Sequence, residues 1–186
     1  MTVLKERAKE TCRNCWPPAS RLVNTADIIM RSFKRKINEF LQDDNFNENL
    51  KSIHDFPRQK TINALISLLC STDKTVKENA VASLGEIVSN LAETDLDGAR
   101  MIMRRLAWSL NEESGWIGWG SAEAMGEIMA RSPVLADEYH KLLISYISEG
   151  ENYLLFEELR KEVYRGLKRL SQTRPELVKD AAGLHI

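Results

Sequence analysis

Apolar side chains recur every three or four positions along most of this chain, and glycine and proline fall where those runs break. Between residues 24 and 41, Ile28, Ile29, Phe33, Ile37, Phe40 and Leu41 share one helical face. Leu50, Ile53 and Phe56 predict a short helix that Pro57 interrupts. Ile62, Leu65, Ile66, Leu68 and Leu69 predict a strongly apolar helix ending near Cys70. Asp73 or Thr75 opens the next helix, where Thr75 with Glu78 fits a capping box. Its core face is Val76, Ala80, Leu84, Ile87 and Leu91. Thr94 is the expected cap of a helix that buries Ala99, Ile102, Leu106 and Leu110. The stretch from Gly115 to Gly120 leads into Ala122, Met125, Ile128 and Met129. Ser132-Pro133 reads as an N-cap followed by proline in the first turn, ahead of Leu142, Leu143 and Tyr146. Leu155, Leu159, Val163, Leu167 and Leu170 mark one more helix, and Pro175 opens a last segment with Leu177 and Val178. Alternation of the strand kind is nearly absent, so the fold class is all-α.

The pattern also repeats. Val76-Lys77-Glu78-Asn79-Ala80-Val81-Ala82-Ser83-Leu84-Gly85-Glu86-Ile87 aligns with Ile117-Gly118-Trp119-Gly120-Ser121-Ala122-Glu123-Ala124-Met125-Gly126-Glu127-Ile128 at an offset of 41 residues. A third copy, residues 159–170, fits 42 residues further on. Each copy follows one apolar helix, near 58–70, 95–110 and 134–148. Two helices per unit at this period resembles HEAT repeats, in particular the bacterial HEAT-like repeats named after phycobilisome lyases. The resemblance implies a short solenoid, a right-handed α-α superhelix of about three helix pairs plus N-terminal helices. It divides the chain into an N-terminal basic helical cap, 1–56, and repeats over 57–186 (57–92, 95–132 and 134–172) with a C-terminal capping helix. It also implies that the second helices line a concave surface. Ala80, Gly85, Ala124 and Gly126 are small enough to let those helices pack closely.

Charge changes this picture little overall, since the net charge is -1. Its distribution is uneven: residues 1–40 hold nine Lys/Arg against four acids, and the remainder holds 17 against 23. The acidic repeats argue against nucleic acid as the partner. The charged N-terminus, MTVLKERAKE, is not a secretory signal, and no run is apolar enough to span a membrane, so a cytoplasmic location is expected. Three cysteines do not make a disulfide scaffold.

Two clusters are candidate binding residues. Around Glu113, Ser114, Trp116 and Trp119, three glycines and two tryptophans lie within six positions. Glycine lets a backbone approach a partner, and tryptophan is a large amphipathic anchor. The competing explanation is packing, with Gly118 and Gly120 bringing a helix against Trp108 or Trp116. The second cluster is acidic: Glu86 and Glu127 share a repeat position, Glu123 lies one turn before Glu127, and Glu162 in the third copy aligns with Asn79 and Gly120 in the first two. These could converge and receive a basic peptide, or they could be a solvated helix face. Carboxylates at this spacing can also bind a metal or move a proton, but no histidine accompanies them. Cys12-Arg13-Asn14-Cys15 is a lone Cys-x-x-Cys; a zinc site needs four ligands and the second pair is missing, so unremarkable cysteines are the favoured reading. His54, His140 and His185 fall in no ligand spacing, and His140 reads as a half-exposed packing residue. Lys34-Arg35-Lys36 on an amphipathic helix could meet an acidic partner or phosphates.

The expectation is a non-catalytic interaction module that binds another protein or peptide through the concave face and the Gly/Trp-rich loop. No cofactor, catalytic residue or metal ligand is assigned. The alternatives are a small-molecule or metal-binding, lyase-like accessory role, which the repeat resemblance suggests, and DNA binding of the HEAT-like kind.

Overall fold

The computed structural model describes residues 25–111 and 118–184. The pair Cys12 and Cys15, the basic residues before Thr25, the candidates Glu113, Ser114 and Trp116, and His185 lie outside the described residues. Among the described residues there are eight α-helices and no strands. They are α1 (Thr25–Leu41), α2 (Phe46–Asn49), α3 (Arg58–Leu68), α4 (Lys74–Thr94), α5 (Leu96–Ser109), α6 (Ser121–Arg131), α7 (Pro133–Ser145) and α8 (Glu157–Ser171). A 3-10 segment, Leu50–Asp55, continues α2, and another, Pro175–Leu184, follows α8. No described helix is long and apolar enough to cross a membrane.

Aspartate caps two of the helices, deciding between the two openings expected for α4 and displacing the Thr94 cap expected for α5. Asp73, not Thr75, caps α4: its extended backbone aims the carboxylate at the amides of Thr75 (2.9 Å) and Val76 (3.3 Å). Asp95, not Thr94, caps α5 by accepting from Gly98 at 2.9 Å. Thr94 is still inside α4, where its hydroxyl donates to the Leu91 carbonyl. Asp95 therefore ends one helix and begins the next with no linker between them. Ser132 does stand at the N-cap of α7 with Pro133 first in the helix, but its side chain makes no capping bond. The helix expected to end near Cys70 stops at Leu68.

The packing follows the repeat. Helices α4, α6 and α8 form one row, with α6 between the other two, and α3, α5 and α7 each pack against members of that row. Contacts between neighbouring helices of one row advance together along both partners. In the second-helix row Gly120 meets Glu162, Glu123 meets Arg165 and Glu127 meets Arg169, all 42 residues apart. In the first-helix row Arg100 meets Glu138, and the Tyr146 hydroxyl donates to the Ala107 carbonyl at 3.2 Å. Contacts that climb in step along both partners mean that neighbouring helices within each row run parallel.

A continuous hydrophobic core joins both rows, from Ile37 and Leu41 of α1 to Val178 of the last segment. The N-terminal helices are thus packed into the same core as the rest. Phe33, Phe40, Phe46 and Phe56 meet edge to face at centroid distances of 5.7–6.2 Å and close the corner between α1 and the 3-10 turn. Within the second-helix row, α6 and α8 touch backbone to backbone. A Cβ on Gly126 would run into the Gly166 backbone, and one on Gly166 would come within 2.5 Å of the Ala122 carbonyl oxygen. Gly85 is a looser case: a Cβ there would meet the side chains of Glu127 and Arg131.

Candidate functional site

Parallel helices in register place residues one repeat apart side by side, and this is what assembles the acidic cluster. Glu86, Glu123 and Glu127 do come together along the second-helix row, but each is held by a cation of the same chain. Arg131 bridges the first repeat to the second: its Nε donates to Glu127 Oε1 at 2.6 Å and its Nη1 to Glu86 Oε2 at 2.7 Å. Arg169 donates from Nε to Glu127 Oε2 at 2.5 Å, and Arg165 donates from Nε and Nη2 to Glu123 Oε1 at 2.9 and 2.7 Å. The His54 ring lies 3.4 Å from Glu86. Asn79 takes no part: its amide donates to the Leu41 carbonyl at 2.7 Å and ties α4 to the end of α1.

The deepest member of the row is Glu162, which is almost fully buried. One of its oxygens receives the Lys77 ammonium at 2.5 Å, and the other accepts from the Gly120 amide at 2.6 Å. Lys77 also lies 3.4 Å from Glu123. One carboxylate therefore ties together all three copies of the repeat. Burial pushes the Glu162 carboxyl above its ordinary range, against the pull of Lys77 and the Gly120 amide, and Glu123 adds to the rise. The carboxylates of the row are thus engaged by cations of the same chain, and Glu162 is closed to solvent.

The described end of the Gly/Trp stretch is built for packing. Gly120 sits at φ +75 as the N-cap of α6, a conformation that side-chain-bearing residues rarely adopt, and a Cβ on Gly118 would come within 2.5 Å of the Ser109 carbonyl oxygen. The neighbours that demand glycine are Ser109 and Leu69, not Trp108, which is largely exposed. Trp119 is half-buried and meets Phe156 edge to face at 5.9 Å, between α6 and α8.

Elsewhere, Lys34 reaches the Ser67 carbonyl at the end of α3, and Arg31, Lys34, Arg35, Asn38 and Leu68 line an open cleft of about 490 Å³. His140 is half-buried, with its ring nitrogen 2.8 Å from the Ala136 carbonyl oxygen. Among the described residues, no group of three or more His, Cys, Asp or Glu is placed to hold a metal ion. Comparison with protein-family models, curated proteins and solved structures finds no match. The site therefore stands on its own geometry.

Sequence reasoning missed Lys77, Arg131, Arg165 and Arg169. The signal was present, since Arg165 and Arg169 stand one repeat after Glu123 and Glu127. It appears only when charges are compared across units rather than along one helix.

Proposed function

We propose that the chain is a short HEAT-like solenoid that acts as a non-catalytic interaction module. In this reading α3–α4, α5–α6 and α7–α8 are the helix pairs, α1 and α2 cap one end of a right-handed superhelix, and the second-helix row is its partner-binding side. The observation that carries it is the in-register row of half-buried ion pairs. A row of side chains already locked into position loses little conformational freedom when a partner arrives, which is what an interaction surface needs. Trp119 beside Phe156 extends the same surface towards the Gly/Trp stretch. The partner is another protein or a peptide, met in the cytoplasm.

Site-directed photo-crosslinking tests this. A crosslinking residue replaces Lys168, on the open side of the second-helix row, or Met101, on the outer side of the first-helix row, in variants that melt like wild type. A protein crosslinked in cells from position 168 and absent from position 101 is the expected result. Crosslinks confined to position 101, or none from either, would sink the reading.

A further inference from the structure

The vertical order of charge along the second-helix row identifies the chemistry of the partner. The carboxylates form the floor, with side-chain exposures of 2% for Glu162, 10% for Glu127 and 14% for Glu123. The cations form the upper layer, at 55% for Arg165 and 37% for Arg169. Helix α8 turns Leu159, Val163, Gly166, Leu167 and Leu170 inward, so Lys161, Arg165 and Lys168, spaced four and three residues apart, face solvent together. A partner resting on this helix meets ammonium and guanidinium groups before it meets any carboxylate of the floor.

We propose that the open face of α8, formed by Lys161, Arg165, Lys168 and Arg169, docks an acidic peptide segment. The proposal rests on the interaction-module reading and replaces the basic peptide expected from the acidic row with its opposite. Three features support it. Charge complementarity is the first: α8 carries five basic residues against three acidic ones, of which Glu162 is buried beneath them and Glu157 is paired with Lys161 at 2.7 Å. The second is preorganisation. Glu123 and Glu127 fix the Arg165 and Arg169 guanidinium planes from below, and Arg165 Nη1 makes no hydrogen bond with the described residues. A guanidinium fixed on one edge can still bind a second carboxylate on another. The third is continuity: Arg131 carries the guanidinium layer from α8 to the edge of α4, giving an extended segment a track across three helices.

The test is fluorescence anisotropy on the full chain with three labelled probes: a peptide of alternating Glu and Gly, its Gln-Gly counterpart, and a Lys-Gly peptide. The acidic peptide is expected to bind, with affinity that falls as salt is added. Lys161→Gln/Lys168→Gln leaves the Glu123–Arg165 and Glu127–Arg169 pairs intact, and is expected to weaken binding about tenfold without a change in Tm. Equal binding of the Glu and Gln peptides, preference for the Lys peptide, or no effect of the double variant would each overturn the proposal. Tighter binding of duplex DNA than of the acidic peptide would overturn it too. Failure here with retained crosslinking at position 168 rejects the acidic chemistry alone; failure of both rejects the module.

Discussion

The two helix rows use the same residue types differently. In the first-helix row, Arg100 holds Glu138 through Nε and Nη2 and Asp97 through Nη1. That cluster lies at the surface, on the same helix as Met101 and Trp108, which are 65% and 68% exposed. The Arg100 hydrogen bonds hold the Glu138 carboxyl below its usual range. In the second-helix row, Glu162 is buried and its carboxyl is raised. A surface pair is screened and contributes little, whereas a buried charge without its partner is costly. The first-helix row can lose its ion pairs cheaply, and the second-helix row cannot.

The sharpest way to break this comparison is steric. Gly126→Ala inserts a methyl group where α6 meets the Gly166 backbone, which cannot rotate away as a side chain would. The expected loss is about 3 kcal/mol by urea unfolding, despite alanine's better helix propensity. Next comes Lys77→Met, which leaves Glu162 buried without its cation and is expected to cost about 2 kcal/mol. Adding Glu162→Gln should restore part of that loss, and a fully additive double mutant would show that the pair is not coupled. A third effect of about 1 kcal/mol is expected for Asp95→Ala, read as a lower Tm, because the α5 cap is lost. Glu138→Gln should have the smallest effect of the series.

The two carboxylates also titrate with opposite signs. Glu162 has a raised value in the fold, so its proton favours the folded state. That stability is full below the ordinary carboxyl value and is lost as pH rises through the raised one. Glu138 has a lowered value, so its stability is present above the ordinary range and is lost as pH falls through the lowered one. Wild type should therefore lose stability relative to Glu162→Gln as pH rises, and relative to Glu138→Gln as pH falls. Unfolding curves across pH check both, and parallel curves would contradict the assignment.

Most of the helices and the repeat were legible because both follow from apolar spacing. The 42-residue offset reappears as physical neighbours between α6 and α8. The cap at 73 was one of two openings the sequence allowed, and the cap at 95 was misread because Thr94 also suits a cap; only backbone direction decides between such neighbours. The acidic row was visible, but its neutralisation was not. An arginine 42 positions away looks unrelated until the helices are known to run parallel. The burial of Glu162 was hidden for a similar reason, since a glutamate beside Val163 reads as the polar edge of a helix until α6 covers it.

The ion pairs between α6 and α8 depend on the helical phase of α8 rather than on the length of the loop that precedes it. Extra residues between Tyr146 and Phe156 would leave every charge on α8 pointing where it does now. A single residue inserted between Glu162 and Arg165 would turn the rest of the helix by about 100° and swing both arginines away from their glutamates. The connection before α8 can thus lengthen while the helix itself tolerates change only in whole turns.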